Sequence, residues 1–233
     1  MQQLEKNDKA RIIDYPHPFS YADMNNQAVE QAQGEIIGLL NNDLEVINSD
    51  WLSEMVSHAV RPEVGAVGAK LWYPNNTLQH GGVVLGIGGV AGHAHKGFPR
   101  GHVGYFGRAA LIQNFSAVTA ACMVMRKVNF LAVGGLDAEH LGTALNDVDL
   151  CLKMNEHNLR IVWTPYAELY HHESASRGYE DTPEKKARYE KERAYMKSRW
   201  PQFLMADPAY SPNLSLDAED FAYAWPPRVA SIA

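Results

Sequence analysis

Between residues 20 and 73 the hydrophobic pattern alternates between helical and strand periods, and this restricts the fold more than any other feature of the sequence. Apolar residues recur at helical spacing after Ser20, the predicted N-cap, until Gly34 ends the pattern. The predicted elements are, in order, a helix over about residues 21–33, a strand Glu35–Leu40, a helix that begins at Ser49 or Asp50 and ends before Pro62, and a strand Val64–Tyr73. This alternation predicts an α/β layered domain.

The composition narrows the class of protein. With 233 residues, 46% of them hydrophobic and 21% charged, the chain can form one sizeable core. Its apolar runs are shorter than the roughly 20 residues of a membrane span, and no signal sequence opens it, so we expect a cytoplasmic protein. A net charge of −6 with scattered Lys and Arg argues against a nucleic-acid partner. Cys122 and Cys151 have no metal or disulfide spacing and are predicted to be buried thiols.

Asn41-Asn42-Asp43 directly follows the apolar stretch Ile36–Leu40. In an α/β sheet, side chains at the carboxyl end of a strand project into the crevice where ligands bind. A divalent cation that bridges two phosphates needs only one or two protein carboxylates, which Asp43 could supply. Taken alone, however, the run is better explained as a polar turn, because Asn and Asp side chains bond their own backbone.

The segment from Gly81 to Gly107 contains ten glycines. This density is typical of a mobile loop or of backbone that lies close to a ligand. Long loops in compact domains are often functional, so we predict a lid, and the histidines in and beside the segment favour that function: His80, His93, His95 and His102.

The second half of the chain contains weaker signals. The predicted elements are a central strand Val118–Arg126, a helix Leu145–Asn158 with Asn146 as its cap and Asn158 in a left-handed conformation, a strand Ile161–Thr164 that Pro165 ends, and a charged helix from Pro183 to about Arg199. The charged helix has a narrow apolar stripe that is predicted to dock on the domain, and the tail after Pro201 is predicted to be extended. We therefore divide the chain into a core, residues 1–180, and a C-terminal helix with its tail, residues 181–233.

Asn146-Asp147-Val148-Asp149 places two carboxylates at the start of a predicted helix. Asp149 is explained by the helix dipole, which a carboxylate in the first turn complements by up to about 1 kcal/mol. Asp147 is predicted to point outward and to be kept ionised by the dipole, as a general base must be. Capping carboxylates are common, so a purely structural role remains the alternative.

Residues 171–178 read His-His-Glu-Ser-Ala-Ser-Arg-Gly and combine imidazole, carboxylate, hydroxyl and guanidinium groups. Ser176 and Arg177 could bind a phosphate, and the neutral imidazole of His171 could join a divalent ion. An ordinary polar loop is the alternative, but the density of reactive groups favours a site.

In this order, the segments resemble the family 2 glycosyltransferases, which have the GT-A fold and transfer sugars from nucleotide-sugar donors. The resemblance runs from about Phe19 to Gly178. The stretch 39–43 occupies the place of the family's metal-binding D-x-D motif, and the stretch 146–153 matches the element that carries its catalytic base. The other matching segments are Ala32-x-Gly34-Glu35, residues 119–126, residues 133–137, and a closing block of Pro165, Ala167, His171, Ser174, Ser176 and Arg177 that is similar to large bacterial members that build surface polysaccharides.

The resemblance implies a fold, a reaction and a set of site residues. The fold is an α/β, GT-A-like (Rossmann-like) mixed sheet flanked by helices. The reaction is the transfer of a sugar, with inversion at the anomeric carbon, from a nucleotide-diphosphate sugar to a saccharide or glycolipid acceptor in bacterial surface polysaccharide synthesis. An enzyme of this kind can associate peripherally with the inner face of the membrane. The implied roles are Asp147 as base, Asp43 and His171 as ligands of Mg²⁺ or Mn²⁺, and Asn41, Asn42, Ser176 and Arg177 as donor contacts.

Two departures from the family pattern limit this transfer. Asn41 stands at the first acidic position, so Asp43 is the only matching carboxylate there. Family members begin with strands that form the nucleotide pocket, and before Asn41 only Arg11-Ile12-Ile13 remains as a candidate strand of that half. The chain is therefore expected to lack the first nucleotide-binding strands, which another domain or chain would have to supply.

Two other functions stay open at this point. The chain could be a catalytically silent glycosyltransferase-like module that acts as a scaffold or as the acceptor-binding half of a larger assembly. It could also be a metal-dependent hydrolase that uses Asp43 with His80, His93 and His95, although these histidines lack the spacing of the H-E-x-x-H type.

Overall fold

A computed structural model describes residues 10–173 and 182–229 of the chain. Its helices are Tyr21–Gln31 (α1), Trp51–Ala59 (α2), Lys127–Ala132 (α3), Asn146–Glu156 (α4), Pro183–Arg199 (α5) and Pro201–Met205 (α6). Its strands are Ile36–Leu40 (β1), Leu44–Val46 (β2), Val64–Trp72 (β3), Leu78–His80 (β4), Val83–Leu85 (β5), Ala91–His93 (β6), Gln113–Phe115 (β7), Cys122–Arg126 (β8) and Arg160–His171 (β9). The α/β class predicted from the hydrophobic pattern is confirmed.

A mixed sheet in the order β1-β8-β3-β9-β2 forms the centre of the fold, with β4 paired to β3 and β7 paired to β9. Strands β3 and β9 are parallel, and Val67 lies opposite Val162. The β1–β8 and β2–β9 pairs are antiparallel. Because Leu44 of β2 pairs with His171, the turn that joins β1 to β2 lies beside the end of β9.

Strand β9 is longer than the sequence predicted. Pro165 was expected to end it, but the strand continues to His171. The register between β3 and β9 shifts between Gly68 and Lys70, opposite the proline. Proline is tolerated at such an irregularity, where its missing N–H does not interrupt a regular ladder. The continued strand carries His171 to the end of the sheet.

Two helix starts show which local signals are reliable. The Ser20 hydroxyl accepts a hydrogen bond from the backbone N–H of Asp23 at 3.2 Å, which confirms the predicted N-cap of α1. The predicted cap of α4 is wrong, because Asn146 is the first helical residue and Leu145, at φ 61°, precedes it. The Asn146 side chain instead donates to the carbonyl oxygen of Leu141 at 3.2 Å. Asn158 has the left-handed conformation expected of it, at φ 58°.

The glycine-rich segment is packed into the fold over its first half, whereas residues 96–107 are mostly exposed, and its function as a lid stays a prediction. It contains the antiparallel pair of β5 and β6. The two histidines at its start and centre, His80 and His95, are fully buried. Gly82 shows why glycine is needed here: its φ is +98°, and a Cβ at this position would overlap the ring of Phe115.

The C-terminal helix packs on the domain as predicted. Thr182 caps α5 by accepting from the backbone N–H of Lys185 at 3.3 Å, and Met196 and Trp200 of the apolar stripe are buried in the main core, whereas Tyr189 is exposed. The tail begins with α6 and is not simply extended. Three of its side chains also lie in the main core: Tyr210, Leu214 and Phe221. The division at residue 180 stays a prediction.

Three further expectations concern the N-terminal segment, the cysteines and the membrane. Arg11-Ile12-Ile13 is not part of a strand, contrary to its prediction as a remnant of the nucleotide-binding half. Cys122 and Cys151 are buried free thiols, as predicted. Over residues 10–173 and 182–229, no helix has both the length and the apolar character that crossing a membrane requires.

Candidate functional site

A cavity of about 860 Å³ lies where α1, the β1–β2 turn, the loop before β8, the start of α4 and the end of β9 meet. Five of the residues predicted to form the site line it: Asn41, Asn42, Asp43, Asp147 and His171. Ser176 and Arg177, the other two, lie outside the described residues. The structure therefore brings together side chains that are more than a hundred residues apart in the sequence. If Asn41–Asp43 were only a polar surface turn, there would be no reason for Asp147 and His171 to lie beside it.

The β1–β2 turn is fixed by the strands on either side of it. The backbone N–H of Asn41 donates to Ala121, and the carbonyl oxygen of Asp43 accepts from the N–H of His172 at 3.0 Å. These bonds place Asp43 Oδ1 3.1 Å from Nε2 of His171. Within the described residues Oδ1 is buried without a hydrogen-bond partner, since the approach to Nε2 lacks hydrogen-bond geometry.

An unpaired buried carboxylate oxygen is costly unless a cation or a donor compensates it. Oδ1 of Asp43 and Nε2 of His171 lie 3.1 Å apart in residues that line the cavity, and both are atoms of the kind that coordinate divalent cations. A Mg²⁺ or Mn²⁺ ion that binds a diphosphate keeps several non-protein ligands, so two protein ligands fit the group. Among the described residues no cluster of three or more His, Cys, Asp or Glu side chains could hold a metal.

The loop before β8 surrounds Asp147 with hydrogen-bond donors. Its Oδ2 accepts from the backbone N–H of Ala120 at 3.1 Å, and Oδ1 accepts from the N–H of Val148 at 2.9 Å. Burial is the largest influence and raises the pKa of Asp147, while these bonds and one from Thr119 oppose the rise. Asp147 lies in the first turn of α4 and faces the cavity, as predicted, but desolvation opposes the ionisation that the helix N-terminus favours. A base in this environment is stronger than an ordinary Asp.

Tyr21 also belongs to this wall of the cavity, although no sequence motif marked it. Its hydroxyl donates to the carbonyl oxygen of Ala120 at 3.0 Å. Burial raises the pKa of Tyr21, and the charge of Asp147 adds to the rise. Tyr21 is therefore a protonated donor that fixes the loop from which Asp147 receives its hydrogen bond.

Asp149 has the structural role expected of it, with different partners. It is fully buried, and its carboxylate accepts from Trp200 Nε1 at 2.9 Å. It also forms ion pairs with Lys153 at 3.1 Å and with Arg199 at 2.9 Å. The charge of Asp149 is thus compensated by side chains. Because Trp200 and Arg199 are at the end of α5, these contacts also hold α4 against α5.

The histidines proposed for a hydrolase do not assemble around Asp43. His80 and His93 contact each other, with 2.8 Å between their Nδ1 atoms. Burial is the largest cause that lowers their pKa values, to about 4 for His93. His95 stacks on Phe221 instead, with 4.3 Å between the ring centroids. The described residues therefore contain no site of the kind that the hydrolase hypothesis requires.

Comparison with known proteins identifies the family. The profile described as Glycosyl transferase family 2 matches residues 1–128, more than half of the chain. The chain belongs to glycosyltransferase family 2. This confirms the family inferred from the order of the motifs.

Two curated relatives of this family 2 chain are much longer proteins. It is 56% identical over 225 residues to "Uncharacterized protein y4gI" of Sinorhizobium fredii, a match that covers 96% of the chain and 25% of that protein. It is 43% identical over 209 residues to "O-antigen biosynthesis protein RfbC" of Myxococcus xanthus, a match that covers 89% of the chain and 16% of that protein. The chain thus spans a quarter or less of these relatives.

Two solved structures show the same fold at low sequence identity. Mannosyltransferase PcManGT from Pyrobaculum calidifontis, in complex with GDP-Man and Mn²⁺, matches 85% of the chain and 53% of its own length at 13% identity, with a TM-score of 0.55. GalNAc-T7 with UDP, GalNAc and Mn²⁺ matches 86% of the chain and 41% of its own length at 11% identity, with a TM-score of 0.57. The GT-A-like mixed sheet flanked by helices is confirmed.

Proposed function

We propose that this chain transfers a sugar, with inversion at the anomeric carbon, from a nucleotide-diphosphate sugar to a saccharide or glycolipid acceptor in bacterial surface polysaccharide synthesis. One observation carries the proposal: a single cavity contains two side chains of the kind that bind cations, Asp43 and His171, and a partly buried carboxylate, Asp147, whose pKa is raised by desolvation. The name of the RfbC relative and the ligands in the titles of the two solved structures support the same reaction class.

On the donor side, Asp43 and His171 would hold Mg²⁺ or Mn²⁺. When bound, such an ion supplies positive charge that offsets the negative charge growing on the leaving diphosphate. Asn41 and Asn42 line the same wall and offer amide groups for hydrogen bonds to the donor. Ser176 and Arg177 follow His171 closely in the sequence, and we assign them to the diphosphate on the basis of the family motif.

On the acceptor side, Asp147 accepts the proton of the attacking hydroxyl. The hydroxyl oxygen then forms a bond to the anomeric carbon, while the bond from that carbon to the diphosphate oxygen breaks. The nucleoside diphosphate leaves with the electron pair of the broken bond, and direct displacement inverts the anomeric configuration. Both Asp147 oxygens already accept backbone hydrogen bonds, which fixes the direction of their remaining lone pairs.

The chain spans only part of its relatives, so the surroundings of this module are also proposals. Arg11 and Ile13, close to the first described residue, line the cavity. We propose that another domain or chain completes the nucleotide pocket there. An enzyme that acts on glycolipid acceptors would work at the inner face of the membrane.

Titration calorimetry with the full chain tests the proposal directly. A panel of uridine and thymidine diphosphate sugars is titrated with and without Mn²⁺, and each donor that binds is then incubated with saccharide acceptors to detect transfer. We expect Mn²⁺-dependent binding of at least one donor and release of the nucleoside diphosphate. Donor binding without any transfer would support a glycosyltransferase-like module that is catalytically silent. No binding of any donor or of Mn²⁺ would contradict the proposed function.

A further inference from the structure

The imidazole of His171 is held at both ring nitrogens. Nδ1 lies 2.7 Å from Oε1 of Gln79. Nε2 lies 3.2 Å from Nδ2 of Asn41 and 3.1 Å from Oδ1 of Asp43. Both His171 and Gln79 are buried, so these contacts replace water on two sides of the ring. The direction of the bond at Nδ1 decides which nitrogen carries the proton.

Glu173 determines how the amide of Gln79 is oriented. Nε2 of Gln79 donates to Oε2 of Glu173 at 3.3 Å, and a carboxylate can only accept. Tyr73 also donates to Glu173; burial and the Glu173 charge raise the pKa of Tyr73 to about 12, so it stays protonated at neutral pH. The amide nitrogen of Gln79 therefore faces Glu173, and its carbonyl oxygen faces His171.

This orientation has a consequence for the opposite side of the ring. Because Oε1 of Gln79 can only accept, Nδ1 of His171 must carry the proton that it donates, and Nε2 of the neutral ring then presents a lone pair. The donor group of Asn41 at 3.2 Å is compatible with that lone pair. Asp43 Oδ1 lies on the same side without a hydrogen bond. Two electron-rich atoms thus face each other across 3.1 Å, an arrangement that a cation stabilises.

We propose that Gln79, oriented by Glu173, is a positioning residue that holds His171 as the Nδ1–H tautomer and thereby presents Nε2, beside Asp43, to a divalent cation. This inference rests on the proposed metal-dependent function. Gln79 is not among the residues that line the cavity, and it reaches the proposed metal site only through His171. Glu173 orients Gln79 and also lines the cavity, so the tautomer of His171, and not Mn²⁺ affinity, is the readout of its action through Gln79.

Nitrogen-15 NMR of the metal-free full chain tests the tautomer without reference to metal or activity. Spectra are recorded at about pH 8.5, above the ordinary histidine pKa, and the His171 signals are assigned with a His171→Gln variant. We expect the Nδ1–H tautomer in the wild type. In Gln79→Leu, which cannot accept the bond, we expect the Nε2–H tautomer. The Glu173→Gln variant keeps the shape of the side chain, but the Gln79 amide can then exchange the positions of its oxygen and nitrogen. In this variant we expect a mixture of the two His171 tautomers.

Gln113→Leu is the matched control, because Gln113 lies on β7 away from His171, and it should leave the wild-type tautomer unchanged. An Nε2–H tautomer in the wild type, or an unchanged Nδ1–H tautomer in both Gln79→Leu and Glu173→Gln, would overturn the proposal. Circular dichroism and thermal melting show whether each variant folds. If Gln79→Leu does not fold, Glu173→Gln decides alone, because it changes no side-chain volume and does not touch the ring.

Mn²⁺ binding, followed by the loss of the free-ion electron paramagnetic resonance signal, separates this proposal from the proposed function. Removing the hydrogen-bond partner of a metal-binding histidine usually lowers the affinity for the metal about 10- to 100-fold. We expect a loss of this size in Gln79→Leu and a smaller loss in Glu173→Gln. If the tautomer switches but the wild type does not bind Mn²⁺, the metal site is wrong and the positioning role stands. If every variant binds Mn²⁺ as tightly as the wild type, the positioning role is wrong and the metal site stands.

Discussion

The Glu192 carboxylate on α5 accepts a hydrogen bond from the backbone N–H of Thr143 at 3.0 Å. Its second oxygen accepts from the N–H of Ala144 at 3.1 Å. Thr143 and Ala144 line the cavity and lead directly to Asp147 at the start of α4. Helix α5 lies outside the residues that the family profile matches, yet it supports the loop that presents the proposed base.

We predict that Glu192→Gln lowers both stability and activity. The neutral amide has one acceptor oxygen, so one of the two backbone N–H groups loses its partner, and the surviving bond is no longer charge-assisted. Losses of this kind cost about 1–3 kcal/mol in the free energy of unfolding, which urea denaturation measures. We also expect a lower kcat, because the loop before Asp147 becomes less fixed.

Glu190→Gln is the control for this prediction. Glu190 is on the same helix, but its side chain is 63% exposed and, among the described residues, forms an i, i+3 ion pair with Arg193. Exposed pairs contribute about 0–1 kcal/mol, so this variant should be close to the wild type. Equal stability of the two variants would show that the Glu192 bonds contribute little.

Local signals in the sequence predicted the parts of the fold that depend on neighbouring residues. Ser20 capped α1 as expected, and Asn158 took the left-handed conformation that closes a helix. The motifs also identified Asp43, Asp147 and His171, which line one cavity, because each of them lies at or next to an end of a strand or helix. These residues could be found without knowledge of distant contacts.

Residues whose function depends on distant partners could not be found in this way. Gln79 and His171 are 92 positions apart, and Glu192 and Thr143 are 49 apart. Gln79 and Glu192 stand in segments without any motif. Pro165 was misleading for the same reason, since its tolerance in β9 depends on a register shift in the facing strand β3. Tertiary packing, and not local preference, decides such positions.

We predict that Asp147→Asn nearly abolishes sugar transfer while the fold is kept. General bases contribute about 10²–10⁴-fold to rates, and the amide cannot accept the acceptor's proton. Donor binding, which involves the other wall of the cavity, should be unchanged in calorimetry. Transfer at the wild-type rate would show that Asp147 is not the base.

The pH dependence of the same variant gives a second readout. Burial raises the folded-state pKa of Asp147 above its unfolded value, so folding favours the protonated form. The ionised carboxyl therefore destabilises the fold increasingly as pH rises through the folded pKa, and Asn avoids this effect. Asn also has only one acceptor oxygen for the N–H groups of Ala120 and Val148, so the two effects on stability oppose each other at neutral pH. The melting temperature of Asp147→Asn relative to that of the wild type should therefore fall as the pH is lowered, because only the wild type gains stability in acid. In the wild type, transfer should decline on the acid side at a pH above the ordinary Asp pKa of about 3.9.

Asp149→Asn should cost more stability than Asp147→Asn, although the residue is only two positions away. Its buried carboxylate compensates Lys153 and Arg199, and removing one member of a buried ion pair usually costs about 3–5 kcal/mol. Arg199 is partly exposed, which places the expected loss toward the lower end. Thermal melting of the two Asn variants side by side measures the contrast. A melting temperature for Asp149→Asn at or above that of Asp147→Asn would contradict these assignments.

Asp43→Asn should remove Mn²⁺ binding, because Asp43 supplies the only carboxylate among Asn41, Asn42 and Asp43. Asn keeps the shape of the β1–β2 turn but loses the charge that a hard cation requires. Glu45→Gln is the matched control: its side chain is 66% exposed and pairs with His172, outside the cavity lining. Electron paramagnetic resonance of Mn²⁺ should show binding in the control and none in Asp43→Asn. Equal binding in both variants would move the metal away from Asp43.

Gly68 and Gly38, both within strands, test whether packing behind the cavity controls the loop that binds Asp147. A Cβ on Gly68 would lie 2.5 Å from Cβ of Val118, whereas a Cβ on Gly38 would meet its nearest atom at an ordinary 3.8 Å. Gly68→Ala must therefore displace Val118, which directly precedes Thr119 and Ala120, at a cost of about 1–3 kcal/mol. Gly38→Ala should be neutral or slightly stabilising, because it restricts only the unfolded chain. The displaced loop donates the Ala120 hydrogen bond to Asp147. Gly68→Ala should therefore lower kcat more than it changes the affinity for Mn²⁺. An unchanged kcat would show that the loop adapts without moving the base.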